Sequence, residues 1–263
     1  MRFGIHAGPQ DCTIDDLRRL WRLADDNGFH WCSVWDHLYS ISNLADPASP
    51  AFEGIASMAA LAGATTRVRV GCLVFCVPYR NAGVLCKAAV TIDHLSGGRV
   101  ELGLGAGWFE SEHTAYGFDF MTQKGRLDEL DRQLPEIVRQ WTEADDIWPK
   151  PLQQPRPRII VGGRAKPRTV AAAVRYADEY NTVWPTVDEA RERKQRLDDA
   201  AEKAGREPLR FSMMIELKGG ADELEEQLRP YAEVGVERVM LQHLEHEDVE
   251  RVAVLGEVAA RLR

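Results

Sequence analysis

The chain has no run of about 18 consecutive apolar residues, so no membrane-spanning helix is expected. Its first residues, MRFGIHAGPQD, lack an apolar stretch of signal-peptide length, and the expected location is the cytoplasm. No Ser/Gly linker, low-complexity tract or composition break divides the 263 residues, and 44% apolar content suits a sizeable core. Residues 1–263 therefore read as one domain. Basic charge is also short: the net charge is -8, which argues against a nucleic-acid-binding face because phosphate neutralisation needs cations. A small anionic ligand held by a few local groups stays open. Cysteines number five (Cys12, Cys32, Cys72, Cys76, Cys86), with no CxxC pair, so neither a disulfide framework nor a zinc ribbon is expected. Cys72 and Cys76 sit in an apolar run and read as small buried hydrophobes.

What is present is an alternation. Short apolar runs occur at 3–7, 31–35, 68–75, 99–105, 158–163, 179–184, 210–217 and 237–242. Amphipathic stretches fall between them. Ile14, Leu17, Leu20, Trp21 and Ala24 recur at helical spacing, with Thr13 as N-cap and Asp16 three residues on. Leu127, Leu130, Leu134, Ile137, Val138 and Trp141 repeat the pattern, and TVDE at 186–189 is a second capping box. Helices end at Gly28, Gly205 and Gly235. Eight strands alternating with about eight helices in this length predict a single (β/α)8 TIM barrel, with a doubly wound sheet as the rival. Strands covered on both faces account for the mostly apolar runs.

The fourth run continues as GLGAGWFESEH. Trp108 stands at the third glycine position of a dinucleotide fingerprint, WFESEH follows where its helix should start, and this is the fourth strand and not the first, so that reading is rejected. Alternation along a strand sends Val100, Leu102 and Leu104 toward the helices and Gly103 and Gly105 into the barrel. Two readings of the glycines stand: room for a flat ligand against the backbone, or relief of crowding at the barrel centre.

Asp36 and His37 close the second run, at the face where barrel enzymes place catalytic groups. Imidazole exchanges a proton near neutrality, and the neighbouring carboxylate is expected to favour its charged form. The alternative is a histidine packed under the 38–50 loop. Trp108 and Phe109 either wall a pocket or pack under the loop that follows. In VGGRAKPRTV (161–170) a strand ends at Gly162 and Gly163, Pro167 suits a first helical turn, and Arg164, Lys166 and Arg168 cluster. Cations there oppose the helix dipole, and a bound phosphate would explain them; solvated surface charge is the alternative. His6 is a second candidate pointing into the barrel, and His113 is expected to be structural. His243 and His246 lack a third ligand at metal spacing.

Several stretches carry a resemblance: SVWDH (33–37), TTRVRVGCLV (65–74), the long block 79–118, PRIIVGG (157–163) and RYADEYN (175–181). Together they resemble the luciferase-like monooxygenase superfamily, and most of all its branch dependent on the deazaflavin coenzyme F420. The likeness covers most of residues 1–205. It implies a (β/α)8 barrel holding its cofactor at the C-terminal strand ends, and a hydride transferred between coenzyme F420 and a small organic substrate. It further implies His37, with Asp36, as the proton-managing group and a non-prolyl cis peptide at Leu73–Val74 or one bond earlier. Cofactor contacts are expected from Leu73, Val74, Gly105, Gly107, Trp108, Gly162, Gly163 and Arg164. An FMN-dependent monooxygenase and a non-catalytic flavin-binding barrel are the alternatives, and homodimerisation is left open. One departure is that WTEADDIWPKPLQQPRP (141–157) runs almost directly into the fifth strand, where relatives usually carry an aromatic-rich turn.

Overall fold

Eight short apolar segments pair side by side and close on themselves. The computed structural model describes residues 1–41, 49–216, 220–242 and 249–261. Its strands are β1 (Arg2–His6), β2 (Trp31–Val34), β3 (Arg69–Cys76), β4 (Val100–Gly105), β5 (Arg158–Gly163), β6 (Glu179–Val183), β7 (Arg210–Ile215) and β8 (Arg238–Gln242). They form a closed barrel in chain order, every pairing parallel. The eight runs read from the sequence are these eight strands, and the doubly wound alternative is excluded.

The described helices are α1 (Ile14–Asp26), α2 (Gly54–Ala64), α3 (Ala82–Ser96), the short α4 (Glu110–Ala115), α5 (Gln123–Thr142), α6 (Pro167–Tyr176), α7 (Val187–Lys203), α8 (Ala221–Val234) and α9 (Val249–Arg261). Both capping boxes form: Thr13 with Asp16, and Thr186 with Glu189. Each satisfies backbone donors that a first helical turn leaves unpaired. Among the described residues no helix is long and apolar enough to cross a membrane.

Alternation along the strands divides the apolar side chains into two cores. One lies between barrel and helices and holds Val100, Leu102 and Leu104 with Leu17, Leu20, Leu85, Leu134 and Ile137. The other fills the barrel with Trp31, Leu73, Ile160 and Met240, and Val74 and Met214 pack onto it. Below that plug, at the N-terminal strand ends, Glu101 meets Arg69, Arg158 and Arg238, and Arg238 also holds Glu179 at 2.7 Å. The Arg238 guanidinium lies 4.6 Å from the Trp31 ring centre. The barrel is thus sealed at its lower end by paired charge, which leaves the C-terminal strand ends as the face for a ligand.

Candidate active site

At the C-terminal end of β3 the ladder with β4 shifts register between Cys72 and Phe75. A bulge of this kind re-aims a side chain, and here both Leu73 and Val74 join the interior core. The Leu73–Val74 peptide bond is cis. Val74 projects across the barrel onto three backbones that carry no side chain. A Cβ on Gly105 would collide with Val74 Cγ2, and one on Gly162 would stand 2.9 Å from Val74 Cγ1. A Cβ on Gly103 would run into the Cys72 carbonyl. The space at Gly103 and Gly105 that one reading reserved for a flat ligand is therefore filled by the chain itself, through the β3 bulge. Gly107 has a similar constraint: its φ is +75°, and a Cβ would lie 2.5 Å from Cys76 Sγ. Val74 itself stays partly exposed and is the apolar floor of the barrel mouth.

His37 stands just beyond β2, with 17% of its side chain exposed. Its charge partner is not Asp36. The Asp36 carboxylate turns to Arg80, which grips it through two nitrogens at 2.5 and 2.7 Å, and it also accepts the Cys76 backbone N–H at 2.9 Å. Arg80 bonds Glu53 as well, at the start of α2. Burial pushes the Asp36 carboxyl up, and the guanidinium and the N–H oppose that by favouring the ionised form. Asp36 therefore ties β2 to β3.

The carboxylate that holds His37 comes from α4. Glu112 is fully buried and accepts from His37 Nδ1 at 3.0 Å, the Leu38 N–H at 2.7 Å, the Tyr39 N–H at 3.0 Å and the Tyr79 hydroxyl at 2.9 Å. Burial opposes its ionisation, but the His37 ring and the N–H and O–H donors outweigh burial and hold the carboxyl below its ordinary range. Glu112 and Tyr79 were not foreseen. Glu112 is 75 residues from its imidazole partner. The only sequence signal was an acidic residue in the short segment after the fourth strand, and nothing local distinguishes it from Glu110.

His6 lies one strand over, in register with Ser33, and its Nδ1 is 2.8 Å from Ser33 Oγ. Burial drives its pKa down to about 3, with the charge of His37 adding to the effect. The Trp35 ring stands edge-on between the two histidines, 5.6 Å from His6 and 5.9 Å from His37. On the other side of His37, Trp108 and Phe109 stack on one another at 5.1 Å and approach its ring at 5.6 and 6.1 Å. Trp108 is 62% exposed, so it is not packed beneath a loop. His113 is buried, faces the Asp119 carbonyl and packs on Tyr79, a structural placement.

The Gly162–Gly163 end of β5 leads through exposed Arg164 to Pro167, the first residue of α6. Tyr180 braces this turn, its hydroxyl accepting the Ala165 N–H at 2.9 Å. The basic cluster is smaller than it looked. Arg168 pairs with Asp128 and Asp131 of α5, which explains its place near a helix N-terminus without any ligand. Arg164 and Lys166 remain exposed at the turn. His243 and His246 lie outside the described residues, as does most of the 38–50 loop.

The model of one family, described as luciferase-like monooxygenase, matches residues 1–260. An uncharacterized protein of Mycobacterium tuberculosis (strain ATCC 25618 / H37Rv) is 26% identical over an alignment of 289 residues, which covers 100% of this chain and 99% of that protein. The FMNH(2)-dependent dimethylsulfone monooxygenase of Pseudomonas putida is 28% identical over 212 residues, covering 73% of this chain and 54% of that protein. Among solved structures, an F420-dependent secondary alcohol dehydrogenase in complex with an F420-acetone adduct superposes with a TM-score of 0.84 at 16% identity, covering 100% of this chain and 99% of that one. At that identity the likeness speaks for the fold.

Proposed function

The chain belongs to the luciferase-like monooxygenase family, and from that premise we propose that it is an oxidoreductase working with coenzyme F420 on a small organic substrate. The observation that carries the reading is the placement of His37. A partly exposed imidazole, gripped by a buried carboxylate, stands at the mouth beside an apolar floor and an aromatic wall.

The residues present fit a planar, phosphate-bearing group. Val74 offers an apolar surface with glycine backbones around it. Buried Trp35 Nε1 and Gln242 Oε1 have no hydrogen-bond partner among the described residues, and both belong to this end of the barrel. Such atoms are costly to leave unmet and are natural contacts for a polar ring edge. Gly162, Gly163 and Arg164 would hold a phosphate, since the strand end there carries no side chains and an exposed cation follows it. When bound, the coenzyme supplies a two-electron centre. The chain's part is to seat it on Val74, wall it with Trp108 and Phe109, and let His37 give or take the accompanying proton at Nε2, the ring nitrogen not engaged by Glu112. His6, kept neutral, offers hydrogen bonds without charge.

Coenzyme F420 is preferred over FMN because the block 65–118, the most specific stretch of the resemblance, most resembles the deazaflavin branch. The second reading is an FMN-dependent monooxygenase, favoured by the dimethylsulfone monooxygenase similarity over 73% of the chain. Separate fluorescence titrations of purified protein with coenzyme F420 and FMN decide between them. Tighter coenzyme F420 binding is expected. Equal or tighter FMN binding, or FMN that copurifies, moves the assignment to the monooxygenase.

A further inference from the structure

Glu112 places two different demands on one carboxylate. His37 Nδ1 lies 3.0 Å from its Oε2 and 3.1 Å from its Oε1; Oε2 also accepts the Tyr79 hydroxyl, while Oε1 takes the backbone N–H groups of Leu38 and Tyr39. The second pair begins the segment that leaves β2. That segment is fastened further along: the Tyr116 hydroxyl donates to the Leu38 carbonyl at 3.2 Å, Ser40 to Asp11 at 2.5 Å, and the Ile41 N–H to Gln10 Oε1 at 2.8 Å. The Tyr39 and Tyr116 rings also meet, 5.6 Å between centres.

We propose that Glu112 is a positioning residue that fixes which nitrogen of His37 exchanges the proton and, with the same carboxylate, anchors the start of the loop after β2. This deepens the role given above to His37 and rests on it. The argument is one of donor and acceptor count. An ionised carboxylate only accepts, so each of its four neighbours must donate. Nδ1 therefore carries the hydrogen in neutral His37. Nε2 is left with the lone pair, and it is the atom turned away from Glu112. A partner that sets the tautomer of a working imidazole acts through that imidazole and not on the substrate. Glu112 itself is poorly placed to exchange protons: it is 1% exposed and its acceptor sites are filled. Loop and imidazole are held by one group, so releasing the carboxylate releases both.

Two substitutions separate the two demands. In Glu112→Gln the carbonyl oxygen can keep the Leu38 and Tyr39 donors, which puts the amide NH2 against His37 Nδ1. Nδ1 then faces a donor 3.0 Å away beside an acceptor 3.1 Å away, so the neutral ring should gain the Nε2–H tautomer at the expense of Nδ1–H while the loop stays anchored. In Glu112→Ala both are lost. Histidine 15N-edited NMR reads the tautomer, with the His37 signal assigned by its disappearance in His37→Ala. Hydrogen exchange reads the Leu38 and Tyr39 amides, whose protection should fall by about 10-fold or more in Glu112→Ala, the scale of losing a charge-assisted bond. Tyr79→Phe should leave the tautomer as it is. The proposal is overturned if folded Glu112→Ala keeps Nδ1–H as its only neutral tautomer, or if it protects both amides as the parent does. Should the alanine variant fail to fold, an unchanged tautomer ratio in the glutamine variant overturns it. None of these readouts needs a cofactor, so a failure to bind coenzyme F420 or FMN would overturn the functional reading without touching this result.

Discussion

His6 and His37 occupy neighbouring strand ends, yet their surroundings assign them different work. His37 has a carboxylate partner and an exposed edge, which suits proton exchange. If it has that role, His37→Ala should lower the turnover rate by about 10²–10⁴-fold, with a much smaller change in cofactor affinity. Stopped-flow oxidation of the bound reduced coenzyme, with a melting curve alongside, measures both. A normal rate per folded molecule would make His37 a packing residue. His6 makes its prediction through pH. Its pKa falls from 6.5 in the unfolded chain to about 3 in the fold, so below pH 6.5 the unfolded state binds a proton that the native state refuses. Stability should be complete above that value and decline as the pH drops from 6.5 toward 3. His30, which burial lowers to about 4, contributes in the same direction. Melting curves across this range should decline less steeply for His6→Gln than for the parent. Parallel curves would assign the pH dependence elsewhere.

Among the elements, β3, β4 and β5 form one interlocked unit through Val74. Gly105→Ala should cost about 1–3 kcal/mol, because its methyl collides with Val74 and a packed barrel yields little. Adding Val74→Ala removes the colliding Cγ2 and should recover part of the loss. Gly103→Ala meets the Cys72 carbonyl, which no side-chain truncation relieves, so the same second change should rescue it far less. Denaturant unfolding of the four variants tests the contrast, and equal rescue at both glycines would show that Val74 is not what these positions accommodate. The turn from β5 to α6 carries a binding prediction. Arg164→Glu should weaken cofactor binding by about 1–3 kcal/mol, the scale of a charge-assisted contact. Unchanged affinity would return Arg164 to solvated surface charge.

For the molecule as a whole, stability and site sit at opposite ends of the barrel. Glu101 is fully buried among Arg69, Arg158 and Arg238. Burial opposes its ionisation, and the three arginines more than offset that, so it is held below its ordinary range. Glu101→Gln leaves those cations facing one another with Glu179 as the remaining carboxylate partner of Arg238. A loss of about 1–3 kcal/mol is expected, since buried Arg238 keeps one of its two carboxylate partners and the partly exposed Arg69 and Arg158 lose theirs. Coenzyme titration of the folded fraction should be unchanged, because the interior plug of Trp31, Ile160 and Met240 separates this network from the mouth. A variant as stable as the parent would mean that Glu179 alone suffices to compensate Arg238.

The sequence by itself determined the architecture: the period of each apolar run, the capping residues Thr13 and Thr186, and the alternation of strand and helix are local properties of the chain. It also marked His37 and the Gly162–Gly163 turn, because a strand end followed by a polar residue or paired glycines is legible within a few positions. The tertiary structure decided who partners whom. Asp36 adjoins His37 in the chain but bonds Arg80, and the imidazole bonds Glu112 from a distant helix. Alternation along the chain sends neighbouring side chains in different directions, so adjacency in sequence is a poor guide to adjacency at a site. The glycines of β4 were visible, but what they make room for was not. Their occupant, Val74, reaches them only because β3 bulges at its end, and a bulge is settled by the register of the closed sheet and not by the residues of one strand.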